Sequence, residues 1–255
     1  MFKERFVSPR RVMGGCVCVL TIALAVSPAS ASCTKASLEG VFGYFHGRPG
    51  GATFAGITGG QLTLDGLGHV TSASWTASTN GAISTGTTKG TYSISANCTG
   101  KLTLDDEDGG LSHYNLYLNA GNTMFQMIET DSGDNQPGFG LAQGTVTCGL
   151  SGKIMILTTN LVGLDNGLPA DTVGRVTLNG KGIISGSETF TLNGTVTTLT
   201  VTGAYTEDSN CLGTWRITPK GGTATNFNTV RVNSGSELLL IQTDNNTITA
   251  GNAQQ

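Results

Sequence analysis

The sequence predicts an all-β fold made of two tandem antiparallel β-barrels of about eight strands each. Three observations support this prediction: the chain contains an internal duplication, its apolar residues recur at every second position, and its cysteines divide evenly between the two copies. After the N-terminal leader, no stretch keeps the apolar period of roughly 3.6 residues that marks an amphipathic helix. A pair of β-sandwiches is the alternative arrangement for the same strands.

The first 31 residues have the features of a secretory signal peptide. Basic residues precede an apolar run from Val12 to Val26, and Ala29-Ser30-Ala31 offers small side chains to a signal peptidase. The run is shorter than the roughly 20 residues that a membrane-spanning helix needs. We therefore expect cleavage after Ala31, no membrane span in the mature protein, and a secreted, periplasmic or cell-envelope location. An uncleaved N-terminal anchor is the alternative.

The mature chain is acidic and sparsely charged. Charged residues make up 12% of the full sequence. Removal of the leader takes away four of the 14 basic residues and one of the 17 acidic residues, which leaves a net charge of −6. Since Lys and Arg form no cluster in the remainder, we do not expect nucleic acid or an anionic membrane surface as a partner.

A duplication with an offset of about 113 residues divides the mature chain into two copies, at 32–145 and 146–255. A period of this length corresponds to a whole domain. The chain is therefore expected to hold a signal peptide (1–31) and two barrel repeats. The matched pairs of segments are Gly59–Val70 with Val173–Ile184, Gly90–Gly100 with Gly203–Gly213, Met127–Asp131 with Leu240–Asp244, and Gly140–Gln143 with Gly251–Gln254.

The four cysteines of the mature chain predict one disulfide bond in each copy. An even number of cysteines in an exported protein indicates disulfides, and four of them allow three pairings. An ancestral single domain had to close its own bridge, so the duplication selects Cys33–Cys98 and Cys148–Cys211. The two spacings, 65 and 63 residues, are nearly equal. No cysteine pair or histidine has the close spacing of a zinc site.

Alternation of apolar residues locates the strands. Leu62 and Leu64 alternate with polar residues in the first copy, and Val230 and Val232 do so in the second. Asp-Gly and Asn-Gly dipeptides between such segments predict tight hairpins. The strands predicted in the first copy lie near residues 40–46, 53–64, 69–78, 86–95, 99–105, 111–119, 123–130 and 138–147.

Sequential hairpins favour an up-and-down meander, and closing the sheet into a barrel removes its exposed edges. Two immunoglobulin-like sandwiches fit less well, because an inter-sheet bridge starts in the second strand and Cys33 precedes the first. A barrel of eight strands has an interior that side chains fill or that holds one small ligand.

The pattern G-x-Y-x5-C-x-G, at Gly90–Gly100 and again in the second copy, is interpreted as a fold signature. Tyr92 faces inward, Cys98 marks the turn into the next strand, and Gly100 permits a positive φ or a bulge. Together with a preceding Cys, an L-x-G and a closing Glu-Thr-Asp or Gln-Thr-Asp, the pattern resembles uncharacterised small secreted bacterial β-proteins. That resemblance implies no activity. The similarity to lipocalin and streptavidin barrels is architectural only.

Catalytic signatures such as G-x-S-x-G, H-E-x-x-H and a P-loop do not occur in the sequence, so enzyme activity is not expected. No cofactor or metal is expected either. Asp105–Gly110 has part of a calcium-loop pattern, but position twelve lacks its Glu. The candidate ligand-binding residues all belong to the first copy, where they either line a cavity or fill the core: Tyr44, His46, Trp75, Tyr92 and His113.

These observations favour a non-catalytic binding module for a small apolar ligand or a protein partner. A barrel-type cyclase or isomerase, which needs few catalytic groups, is one alternative. A structural or adhesive envelope protein is another. If one barrel alone binds a ligand, the histidines and aromatic residues favour the first.

Overall fold

Sixteen strands form two closed eight-stranded barrels that follow one another along the chain. The computed structural model describes residues 32–48, 56–106, 110–133 and 136–255, so the expected signal peptide lies outside it. The strands of the first barrel are β1 (Gly40–Arg48), β2 (Gly56–Leu64), β3 (His69–Thr79), β4 (Ala82–Ile94), β5 (Thr99–Asp106), β6 (Leu111–Leu118), β7 (Met124–Glu129) and β8 (Pro137–Ala142).

The second barrel repeats this order. Its strands are β9 (Gly152–Asp165), β10 (Leu168–Asn179), β11 (Ile183–Leu192), β12 (Thr195–Glu207), β13 (Leu212–Pro219), β14 (Thr225–Val232), β15 (Glu237–Gln242) and β16 (Thr247–Gln254). Every strand pairs antiparallel with its sequence neighbours, and β1–β8 and β9–β16 close the two sheets. The barrel prediction is confirmed and the sandwich alternative is wrong.

The helical content of the described residues is limited to two short 3-10 turns, Lys35–Leu38 and Asn233–Gly235. Among these residues no helix has the length and apolarity to span a membrane.

The strands predicted for the first copy are all present, with two shifted ends. β4 begins at Ala82 rather than near residue 86, because Asn80 and Gly81 form a tight turn with φ values of 49° and 81°. β8 ends at Ala142 rather than near residue 147, where the chain turns towards the second barrel.

One end of each barrel is closed by the same set of bonds, and we call it the closed end. The predicted disulfides are confirmed: Cys33–Cys98 and Cys148–Cys211 each tie the segment before the first strand to the turn between the fourth and fifth strands. The Tyr92 hydroxyl donates to the Lys35 carbonyl at 3.0 Å. The equivalent Tyr205 hydroxyl donates to the Ser151 carbonyl at 2.9 Å. The Tyr and Cys of the motif therefore both hold the N-terminal segment against the barrel.

The glycines of the motif act differently from the prediction. The positive φ belongs to the cysteine, at 64° in Cys98 and 63° in Cys211, and not to the glycine that follows. A Cβ on Gly100 would lie 2.2 Å from the Ser93 carbonyl oxygen, and one on Gly213 would lie 2.2 Å from that of Thr206. These glycines are needed because the neighbouring strand comes too close for a side chain.

The last of the four sequence matches is out of register by two residues. Met127 pairs with Gly138 in the first barrel, and its equivalent Leu240 pairs with Gly251 in the second. Gly251 therefore corresponds to Gly138 rather than to Gly140. The offset of 113 residues holds through the last strand.

The two barrels pack against each other through an apolar interface. Val230 and Val232 alternate as expected, but they face out of the second barrel, towards the first. The buried residues of this interface are Phe45, Ile57, Val230, Val232, Leu239, Ile241, Ile248 and Ala250. Residues from Ala31 to Gln255 form one compact unit.

A buried ion pair lies at the closed end of the second barrel. Arg231 Nε and Nη2 donate to the two Glu207 carboxylate oxygens at 2.5 and 2.6 Å, and both side chains are at most 3% exposed. The first barrel has Ile94 and Leu118 at these positions, because Ile94 pairs with Gly100 as Glu207 pairs with Gly213. The amide groups of Leu118 and Arg231 donate to the carbonyl groups of the equivalent cysteines.

Candidate functional site

Three of the predicted ligand-binding residues lie inside the first barrel, away from its closed end. Tyr44 is 1% exposed and its ring stacks on the His46 imidazole at 6.0 Å. His46 also meets the Tyr114 ring edge-on at 5.3 Å. Trp75 packs against the same core. These aromatic side chains occupy the barrel interior.

His46 is held neutral by its surroundings. Burial lowers the pKa of His46 from 6.5 to about 4, and a hydrogen bond with the Gln136 side chain opposes this effect only in part. His46 Nδ1 and Trp75 Nε1 are buried, and neither has a hydrogen-bond partner among the described residues. The group is thus a packed aromatic core with two unsatisfied polar atoms.

The other two predicted residues lie elsewhere. Tyr92 belongs to the closed end, as described above. His113 is on the outer face of β6, where Asp131 accepts its backbone N–H at 2.7 Å and lies 2.8 Å from its Nδ1. In the second barrel Asn226 makes the same two bonds to Asp244. His113 therefore has a structural partner and does not share a site with His46.

A cavity opens in the second barrel at the end opposite the disulfide. Its volume is about 510 Å³, within the range of about 300–1,000 Å³ that is usual for small-molecule sites. The hairpin residues Asp165, Gly222 and Asn245 form part of its rim. The apolar residues that line it are Leu157, Ala170, Phe190, Leu199, Ile217 and Phe227.

The second barrel is hollow because its inward residues are smaller than those of the first. Gly174 lies between Leu157 and Glu188 in the sheet as Gly60 lies between Tyr44 and Trp75. Where the first barrel has two large aromatic rings, the second therefore has an aliphatic side chain and a carboxylate.

The same replacement continues around the barrel. Trp75 is paired with Gly86, and a Cβ on that glycine would lie 2.5 Å from the indole. The equivalent pair in the second barrel is Glu188 with Leu199. His46 is replaced by Thr159, and Tyr114 by Phe227. The same fold therefore has a filled interior in one copy and an open one in the other.

Glu188 is the distinctive polar group of the cavity. It is 9% exposed, and it makes no hydrogen bond or ion pair with any described residue. Desolvation by the barrel wall raises the pKa of its carboxyl group. A buried polar group without a partner is rare in folded proteins, and it points to something that binds there.

The polar groups at the rim already have partners. Asp244 accepts hydrogen bonds from Asn226 and Gln242, and its carbonyl accepts one from Thr247 at 2.6 Å. Thr159 Oγ1 accepts the Thr172 N–H at 2.9 Å. Glu188 is thus the carboxylate of the lining that is left to meet a ligand.

A second concavity of about 630 Å³ lies between the barrels. The acidic residues along it are engaged, since Glu207 pairs with Arg231 and Asp208 accepts the backbone N–H groups of Asn210 and Leu212. It therefore offers a ligand less than the cavity does.

Metal ligands do not converge in the part of the chain that the structure describes, where no three His, Cys, Asp or Glu side chains form a potential site. Residues 107–109 of the acidic turn that suggested calcium lie outside the described residues.

No family model matches the chain, and a search of curated proteins finds no similar one.

Sequence reasoning did not find Glu188. The signal was present, because Glu188 stands on the inward face of β11, in period with Ile184 and Phe190. A carboxylate in an apolar period is a marker for a buried functional group.

Proposed function

We propose that the protein is a secreted, non-catalytic binding module whose second barrel holds a small, largely apolar ligand. The observation that carries this proposal is the cavity of about 510 Å³, with apolar walls and one closed end. Export is supported by the two disulfide bonds, since such bonds persist in oxidising compartments. The proposal moves the expected site from the first barrel to the second.

The binding test uses N-phenyl-1-naphthylamine, an apolar fluorescent probe that is neutral at pH 7. We expect saturable binding with one probe per chain. The triple variant Leu157→Tyr, Glu188→Trp, Leu199→Gly introduces into the second barrel the residues that fill the first, and it should lose this binding. Ser187→Trp adds an indole to the exposed face of the same strand and should retain it.

Absence of saturable binding to the native protein contradicts the proposal. Equal binding by the filled and native proteins, with both folded by circular dichroism, would place the probe outside the cavity and also contradict it.

A barrel-type cyclase or isomerase is the second candidate, and Glu188 is the observation that favours it. A carboxyl group with a raised pKa is suited to donate or accept a proton near neutral pH. Native mass spectrometry of protein purified from its source distinguishes the two functions. A binding module releases its ligand chemically unchanged, whereas an enzyme converts the released compound when the two are mixed again.

A further inference from the structure

The electrostatic character of the cavity selects the charge of its ligand. The residues that line it include Glu188, Asp165 and Asp244, and they include no Lys, Arg or His. All the ionisable groups in this lining are therefore acids. Low-dielectric walls strengthen the field of such groups inside a cleft. A cation is attracted into this cavity, and a carboxylate or phosphate is repelled from it.

Glu188 is placed to meet the ligand directly. It faces inward from β11, opposite Gly174 on one side and Leu199 on the other. Gly174 has no side chain to cover the carboxylate, and Leu199 has no polar atom to bond it. Rim carboxylates differ, because Asp165 accepts a hydrogen bond from Asn166 at 2.8 Å and Asp244 is bonded as described above.

A carboxylate in this position is costly to ionise without a partner. A buried charge is tolerated when it is paired and hydrogen-bonded. In the unliganded protein, burial raises the pKa of Glu188 instead. A bound ammonium group would supply both the opposite charge and the missing hydrogen-bond donor.

We propose that the second barrel binds small amphiphilic amines, whose ammonium group pairs with Glu188 and whose apolar part fills the space beside Leu157, Ile217 and Phe227. This inference rests on the proposed binding function and adds the chemical class of the ligand. The cavity volume admits an aliphatic chain or one or two rings.

The test compares three compounds that share one chain: octylamine, octanol and octanoate, each used to displace the neutral probe at pH 7. We expect octylamine to displace it at a concentration about tenfold or more below that of octanol, because hydrogen bonds to charged groups are the stronger ones. Octanoate should be the weakest competitor.

Two matched variants identify the carboxylate responsible. Glu188→Gln removes the charge and keeps the shape, and it should bring octylamine to the level of octanol while octanol is little affected. Asp165→Asn removes a charge from the rim, and it should leave the preference for the amine within about twofold of the native value. Circular dichroism and thermal melts establish that both variants are folded.

The outcomes separate the two proposals. If the probe does not bind, the binding function itself is wrong. If the probe and octanol bind but octylamine has no advantage, the cavity binds ligands and the amine assignment is overturned. Retention of the amine preference in Glu188→Gln also overturns it, whereas loss of the preference in that variant alone supports it.

Discussion

Replacing Arg231 with Leu is expected to lower the free energy of unfolding by about 3–5 kcal/mol, because the change leaves the Glu207 carboxylate buried without its partner. Both side chains are at most 3% exposed, and the pair is bidentate. Solvent screening, which makes exposed ion pairs weak, therefore has little effect here.

The first barrel supplies the matched control. It carries Ile94 and Leu118 where the second carries Glu207 and Arg231, and both apolar residues pack against the core of the first barrel. The double variant Glu207→Ile, Arg231→Leu should therefore lie within about 1 kcal/mol of the native protein, or exceed its stability. The Gly235 carbonyl that Arg231 also bonds keeps hydrogen bonds from Lys153 and Gln255.

Urea unfolding is the suitable assay, because urea does not screen charges. Trp215 reports on the second barrel and Trp75 on the first, so excitation of variants that retain one tryptophan shows which barrel melts. A double variant as unstable as Arg231→Leu would refute the reasoning, since it would mean that the apolar pair of the first barrel cannot replace the ion pair of the second.

Lowering the pH from 6.5 towards 4 should cost the protein about 3 kcal/mol, because His46 resists protonation in the folded state, with its pKa lowered to about 4. His46→Phe should flatten that part of the stability profile, and an unchanged slope would contradict the assignment. Glu188→Gln should raise the melting temperature at pH 7 but not at pH 4. The raised pKa of Glu188 penalises folding only as the pH rises above the ordinary value of 4.5, so equal melting temperatures at pH 7 would count against it. Gly203→Ala should destabilise by roughly 1–3 kcal/mol, because its Cβ would lie 2.1 Å from the Arg216 carbonyl oxygen. Gly152→Ala, whose nearest contact would be 3.4 Å, is the control and should change the urea midpoint little.

The features that sequence reasoning found are those that short-range patterns encode. Alternation along β2 or β6 needs only the strand itself, and the disulfide pairing follows from the duplication. The Asn80-Gly81 turn was overlooked, although its dipeptide is a hairpin signal of the same kind as those used elsewhere.

The features that it did not find depend on what lies opposite a residue. Alternation shows that Val230 and Val232 share a buried face but does not show that the first barrel covers it. A better clue was the run Leu238–Ile241, which is apolar on both faces as a strand buried on both sides must be. The cavity was hidden for a related reason. A register shift between Val70 and Ala73 must be known before Trp75 can be aligned with Glu188.

The two disulfide bonds also determine how the molecule behaves under mechanical tension. Each bridge closes a loop, of 65 residues in the first barrel and 63 in the second, and a pull on the chain ends bypasses the residues inside it. Together these loops contain more than half of the chain from Ser32 onward. At roughly 3.5 Å per extended residue, reduction of both bridges would release on the order of 450 Å of additional contour length.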